Sequence, residues 1–227
     1  MEVDAPLDLN EGFIFSATLS KQQVSYLHPV VREKDYIKNL WPAGLPEMPL
    51  VMHCYYEAIK HLAFRIHELL QSALDFTVPP LAESSSLARI NYYPPVTTEP
   101  AENQWRISKH DDLCLFTILL PEPKEGKATN REAKRAGLEV LHKTQGWSRA
   151  VYDPGCFVIN CGDTMKRASV GTTGKHRCES SFHRVSVPAP THTHDNSRVS
   201  IAYFVHAEHH INQASVQAYQ DLIDQSL

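Results

Sequence analysis

From residue 86 onward the chain breaks into short β-prone runs, and this pattern restricts its fold more than any other feature. The runs are "LARINYY" (87–93), "LCLFTILL" (113–120), "GLEVL" (137–141), "SRAVYD" (148–153), "CFVIN" (156–160), "HRVSV" (183–187) and "RVSIAYFV" (198–205). They are rich in Val, Ile, Tyr and Phe, and Pro, Gly, Asn or Asp separates them. Strands this short and this numerous predict a sandwich or a jelly roll.

Upstream the period changes. Between Val51 and Phe76, the residues Tyr55, Ile59, Leu62, Ile66, Leu69, Leu70, Ala73 and Leu74 recur at steps of three and four. They predict one long helix with a single apolar face, packed on a sheet. Residues 1–48 read as irregular, because "WPAGLP" and "LPEMP" punctuate them. "EPKEGKATNREAKRAG" (122–137) reads as a charged mobile loop, "THTHDNS" (191–197) as a polar turn, and "QASVQAYQDLIDQSL" as a closing helix. The expected architecture is mainly β with a helical flank: an N-terminal helical region over 1–80, the β domain over 81–210 and a C-terminal helix over 211–227.

Charge excludes some partners. The chain carries 22 Lys and Arg against 26 Asp and Glu, a net −4. Nucleic acid or an anionic membrane would demand a basic excess, so neither is expected. No apolar run reaches the roughly 18 residues of a membrane span, and the acidic start "MEVDAPLDLNEG" does not read as a signal peptide. The 5 cysteines form no CxxC pair and read as reduced thiols of a cytoplasmic protein. A monomer is the default expectation, the oligomeric state itself being open.

The chemistry concentrates around "KHDDLCLFTILLP" (109–121), where two carboxylates stand at the entrance of an apolar strand. Burying them is costly unless something binds them. Strand alternation aims His110 and Asp112 together and Asp111 away. His183, which opens another β run, is the best third member. Two histidines and one carboxylate on one face of a metal leave three positions open, as in non-haem Fe(II) oxygenases. A lone His-x-Asp is more often a hydrogen-bonded surface pair, so the surrounding order carries the weight. By the same parity Arg198 and Ser200 share a face, a fork and a hydroxyl suited to a carboxylate. An arginine capping a strand end in water is the commoner alternative. Asn91 and Tyr93 share a face as well, and could complete a pocket for a small dianion.

Other residues compete for these roles. His192 and His194 lie beside Asp195, "HAEHH" (206–210) clusters histidines, and His176 and Cys178 allow a poor zinc reading. Gly162-Asp163-Thr164 reads as a turn with a helix cap. Leu115, Thr117, Phe157 and Ile159 read as wall of the fold.

Taken together, "KNLWPAGLPEMP", "RINYYPP", "HDDLCLFTILL", "AGLEVL", "GWSRAVYDPGCFVINCGD", "SSFHRVSVP" and "RVSIAYF" occur in the order of a known family. The chain resembles the plant and fungal Fe(II)/2-oxoglutarate-dependent dioxygenases related to isopenicillin N synthase. The resemblance runs from about residue 36 to 206. It implies a double-stranded β-helix (jelly roll) with Fe(II) at its mouth, held by His110, Asp112 and His183. It implies a clamp for 2-oxoglutarate made by Arg198 and Ser200, with Tyr93 and Asn91 assisting. It also implies O2 as co-substrate, ascorbate as an accessory reductant, and hydroxylation or desaturation of a small organic molecule of secondary metabolism. The chain departs from the family in four places, one of them the longer spacing from Asp112 to His183 through the 122–137 insertion and "SVGTTGKHRCES". The 1–80 region reads as truncated, which would leave a sheet edge uncovered. "QWRISK" replaces a glycine-rich run, and Cys114 stands where a glycine is common. Two rival readings follow: an iron-dependent oxidase that does not use 2-oxoglutarate, and a truncated inactive relative acting as a binding protein.

Overall fold

The computed structural model describes residues 6–16, 39–82, 86–121, 137–153, 155–170, 177–192 and 196–208. The charged insertion over 122–136 and the expected closing helix lie outside the described residues, as do His176, His194, Asp195, His209 and His210.

Among the described residues nine strands form two antiparallel sheets. In chain order they are β1 (Glu11–Ser16), β2 (Leu87–Tyr93), β3 (Ile107–His110), β4 (Phe116–Pro121), β5 (Leu138–His142), β6 (Gly146–Arg149), β7 (Val158–Cys161), β8 (His183–Val185) and β9 (Arg198–Val205). The larger sheet has the order β1-β2-β9-β4-β7, and the smaller β3-β8-β5-β6. Residues of both sheets line one cavity, so the two layers enclose it as the expected jelly roll does.

Two helices complete the described fold, α1 (Met48–Ala73) and α2 (Asp163–Ala168). Pro49 opens the first turn of α1, where its missing N–H costs nothing. The buried stripe of α1 is Tyr56, Ile59 and Ala63, continued by partly buried Ile66 and Leu70. That stripe corrects the expected face at two positions: Leu69 is 69% exposed and Ala73 is exposed. Steps of 3, 4, 3 and 4 from Tyr56 keep one line along the helix, and Leu69 lies off it.

The larger sheet divides its labour by parity. Ala88 on β2, Phe116 and Ile118 on β4, and Tyr203 and Val205 on β9 join the α1 stripe in one core cluster. Tyr56 and Tyr203 meet edge to face at 5.3 Å. Each large apolar side chain of the cluster, such as Phe116 or Ile118, contributes about 1.5–3 kcal/mol by leaving water. The alternate residues, Arg89, Asn91, Tyr93, Thr117, Arg198 and Ser200, line the cavity instead. Period-two alternation thus puts hydrocarbon toward the helix and chemistry toward the interior.

Several expectations are corrected. The N-terminus, expected to be irregular, holds β1, paired with β2 in register from Glu11↔Tyr92 to Ser16↔Leu87. It buries Phe15 against Tyr56 and Trp41 and covers the edge of β2. β3 is absent from the expected strands: "ISKH" has no apolar alternation, and it is a strand because β8 pairs with it. β6 begins at Gly146, whose φ of 71° closes the tight turn from β5, so "SRAVYD" starts too late and runs too far. β4 starts at Phe116, not Leu113, and β7 at Val158. No described helix is long and apolar enough to cross a membrane.

A candidate metal centre and its cavity

His110 ends β3, His183 opens β8, and the two are direct cross-strand partners. Their ring centroids lie 4.2 Å apart. In each ring Nδ1 sits against the carbonyl two residues back, Ser108 at 2.8 Å and Ser181 at 3.0 Å. A carbonyl only accepts, so Nδ1 carries the proton and Nε2 keeps its lone pair. Burial holds the His183 imidazole below its ordinary pKa, which favours the neutral form a metal needs. From the other face of β8, Arg184 anchors the strand. It lies 4.0 Å over each of the Trp105 and Trp147 rings, and its Nε donates to Glu139 at 2.7 Å.

Asp112 does not sit in a strand. β3 stops at His110, β4 begins at Phe116, and 111–115 form an irregular bend. The alternation argument for pairing His110 with Asp112 is therefore corrected, although the pairing itself is present. The bend is fastened by the backbone. Gly162 N–H donates to the Leu115 carbonyl at 3.0 Å, and Asp163 N–H to the Asp112 carbonyl at 2.7 Å. Thr164 donates its N–H to Cys114 at 3.3 Å and its hydroxyl to Leu113 at 2.7 Å. Four successive carbonyls are thus held by three successive residues. The segment expected as a helix cap does start α2, and it also fixes this bend.

The Asp112 side chain is buried, and its two oxygens have different tasks. Oδ2 accepts from Thr117 Oγ1 at 2.6 Å and from Asn160 Nδ2 at 2.8 Å. Thr117 and Asn160 are cross-strand partners on β4 and β7, so their donors converge. Oδ1 faces the histidines, 3.9 Å from His110 Nε2 and 3.7 Å from His183 Nε2. Bonds of about 2.1 Å at right angles would bring such donors to ~3 Å. Small side-chain rotations close the difference, so the set fits a divalent first-row metal. Among the described residues this is the cluster whose ligand atoms, all within 4.8 Å of one another, could hold an ion.

Sequence reasoning missed two members of this arrangement. Thr117, expected as wall, is a partner of Asp112, and Asn160 carried no signal beyond its place in "CFVIN". Cys114, which stands where the family commonly has a glycine, lies 3.2 Å from the Thr117 hydroxyl. Burial pushes its thiol up to about 12, so it keeps its proton and can donate to Thr117. Thr117→Val removes the middle of that chain. It is expected to weaken metal binding about 10–100-fold, the usual cost of losing a group that orients a ligand. A Mn(II) titration checks this, and unchanged affinity would remove Thr117 from the site.

The residues expected to grip a dianion also converge. Tyr93 pairs with Arg198 and Asn91 with Ser200 across β2 and β9, and all four are buried. Tyr93 Oη and Ser200 Oγ are 3.4 Å apart. The Arg198 guanidinium lies 5.4 Å from the Tyr93 ring centroid, and its Nη1 is buried without a hydrogen-bond partner, as is Asn91 Oδ1. None of the described ion pairs involves Arg198. A buried, open guanidinium is costly until an anion meets it. The triad and this group open onto one cavity of about 560 Å³, a size suited to small organic ligands.

Among the described residues the competing groups add nothing to the cluster. His192 is exposed and outside the cluster, and Cys178 packs beside the core. The 5 cysteines are free. Leu115 is core as expected, whereas Ile159 is half exposed at the cavity lining and Phe157 is partly exposed.

A family profile for the 2OG-Fe(II) oxygenase superfamily matches residues 84–207. Validamycin A dioxygenase of Streptomyces hygroscopicus subsp. limoneus is 28% identical over 179 residues, covering 76% of this chain and 45% of that protein. Gibberellin 20 oxidase 2 of Oryza sativa subsp. indica is 33% identical over 181 residues, covering 78% of this chain and 40% of that protein. The chain therefore spans less than half the length of these curated relatives. In fold it is similar to a full-length Neurospora crassa protein solved in complex with alpha-KG. The TM-score is 0.67 at 21% identity, over 92% of this chain and 57% of that one.

Proposed function

The chain belongs to the 2OG-Fe(II) oxygenase superfamily, and we propose that it couples oxidative decarboxylation of 2-oxoglutarate to hydroxylation or desaturation of a small organic metabolite. One observation carries the reading: the His/Asp/His cluster and the uncompensated Arg198 open onto the same cavity. His110, Asp112 and His183 would hold Fe(II), which when bound supplies the redox chemistry toward O2, with ascorbate as accessory reductant. The Nδ1 bonds of both histidines and the Thr117–Asn160 pair keep the three donors aimed inward. Arg198, Ser200 and Tyr93 would take the distal carboxylate of 2-oxoglutarate, and Asn91 adds an amide beside them. Leu119, Val140 and Val158 line the remainder and keep water from the reacting carbon.

The names of the relatives favour a small-metabolite substrate and a place in secondary metabolism. The near-neutral charge favours a chain that does not bind nucleic acid, and the free cysteines favour a cytoplasmic one. Succinate formation in the presence of Fe(II), O2, 2-oxoglutarate and a metabolite panel tests the activity. No succinate sinks it, and full turnover without 2-oxoglutarate transfers the chain to the oxidase reading. Arg198→Met is expected to raise the 2-oxoglutarate requirement about 10–100-fold, the worth of a charge-assisted hydrogen bond, while sparing Mn(II) affinity. An unchanged requirement would remove Arg198 from the clamp.

A further inference from the structure

We infer that Arg89 is a second anion-binding arm of the cavity, and that the substrate is a small acid whose carboxylate it holds. The inference rests on the proposed function. There, 2-oxoglutarate keeps its oxo-acid end at the triad, and its other carboxylate satisfies Arg198. Arg89 is then left for a different molecule.

Arg89 lies on β2 on the same face as Asn91 and Tyr93, about 13 Å from Tyr93 along the strand, and it lines the cavity. Its partner across β9 is Ala202, which leaves the space above it open. The guanidinium is seated rather than loose. Nη2 donates to Asn10 Oδ1 at 2.9 Å, and Asn10 is itself tied to the Arg106 carbonyl at 2.7 Å. Below it runs the backbone of β1 at Gly12, where a Cβ would stand 2.6 Å from Nε and 2.8 Å from Nη2. Only a residue without a side chain admits the guanidinium there.

So placed, Arg89 lacks a counter-ion. Nε is buried against the Gly12 backbone, Nη1 enters none of the described hydrogen bonds, and none of the described ion pairs includes the guanidinium. Asp8 lines the cavity too, but its oxygens accept from Ser108, from the N–H at 2.9 Å and the hydroxyl at 2.5 Å. A pre-oriented guanidinium with Nη1 left over suits a single charge-assisted hydrogen bond to a carboxylate. The apolar lining by Leu119, Val140, Val158 and Phe204 suits a hydrocarbon body attached to it.

The test uses the 227-residue chain with Mn(II) and 2-oxoglutarate, so that nothing turns over. Phenylacetate, cinnamate and decanoate are compared with their methyl esters by thermal shift and calorimetry. At least one acid is expected to raise the melting temperature beyond the Mn(II)/2-oxoglutarate complex, and its ester is not. Arg89→Met should weaken that acid at least about tenfold. Gly12→Ala, which leaves the charge in place but displaces the guanidinium, should do the same. Both variants should retain the 2-oxoglutarate shift. The inference is overturned if no acid adds stability, if acid and ester act alike, or if acid binding survives both substitutions. It is overturned too if Arg89→Met removes the 2-oxoglutarate shift, which would make Arg89 part of the co-substrate clamp. A wild-type chain with no Mn(II)/2-oxoglutarate shift sinks the proposed function first, a separate outcome.

Discussion

Asp112→Ala is expected to abolish metal-dependent turnover, by more than about 100-fold, because even removing a group that merely orients a ligand costs 10–100-fold. Asp111→Ala should leave most of the activity. The two neighbours differ in surroundings. Asp112 is buried, with one oxygen on Thr117 and Asn160 and the other toward both Nε2 atoms. Asp111 is partly exposed and outside the cluster. Alanine at 112 also leaves the Thr117 hydroxyl and the Asn160 amide without their acceptor, at about 1–3 kcal/mol of stability. Asp112→Asn preserves shape and separates this packing loss from the loss of the ligand. Mn(II) titration and succinate release give the readout, and equal losses at 111 and 112 would mean the wrong carboxylate has been assigned.

Gly162→Ala should be the most damaging glycine-to-alanine change among the described residues. The new Cβ would stand 2.1 Å from the Cys114 carbonyl oxygen and 2.8 Å from that of Asp112. These are backbone atoms that cannot swing aside, so the 111–115 bend or α2 must move. The expected cost is about 3 kcal/mol, at the upper end of overpacking, or roughly 6–12 °C in Tm for a chain of this size. Metal affinity should fall with it, because the displaced bend carries Asp112. Gly44→Ala serves as the control, since a Cβ there meets nothing within 4 Å. Similar melting temperatures for the two variants would refute the fastening of the bend by Gly162, Asp163 and Thr164.

How much could be read in advance varied from element to element. β2 and β9 were legible to the residue, because "LARINYY" and "RVSIAYFV" are unbroken β-prone runs with both faces committed. The seven residues expected at the site do line one cavity. β1 was hidden because the proline and glycine punctuation of residues 1–48 reads as irregular, although Phe13 and Phe15 alternate within it. β3 was hidden by its polarity. The case of Asp112 is the most instructive. The expected pairing with His110 is present, but its cause is a bend tied to residues 162–164, not strand parity. Thr117 and Asn160 were illegible because a hydroxyl or amide inside an apolar run looks the same whether it faces a carboxylate or nothing.

Residue type and spacing alone determined the chemistry available: two imidazoles, a carboxylate and a guanidinium with a hydroxyl, each at the mouth of a short strand. They also determined most of the runs that become strands, β1 and β3 excepted, and which face of most of them meets hydrocarbon, since periodicity is a local property of the chain. Only the tertiary structure decided which oxygen of Asp112 turns to the histidines, and that Arg89 sits on Gly12 with a donor to spare. Both depend on whether a buried polar atom finds a partner. Those partners arrive from 48 residues away for Asn160 and 79 for Asn10, distances over which no sequence period extends.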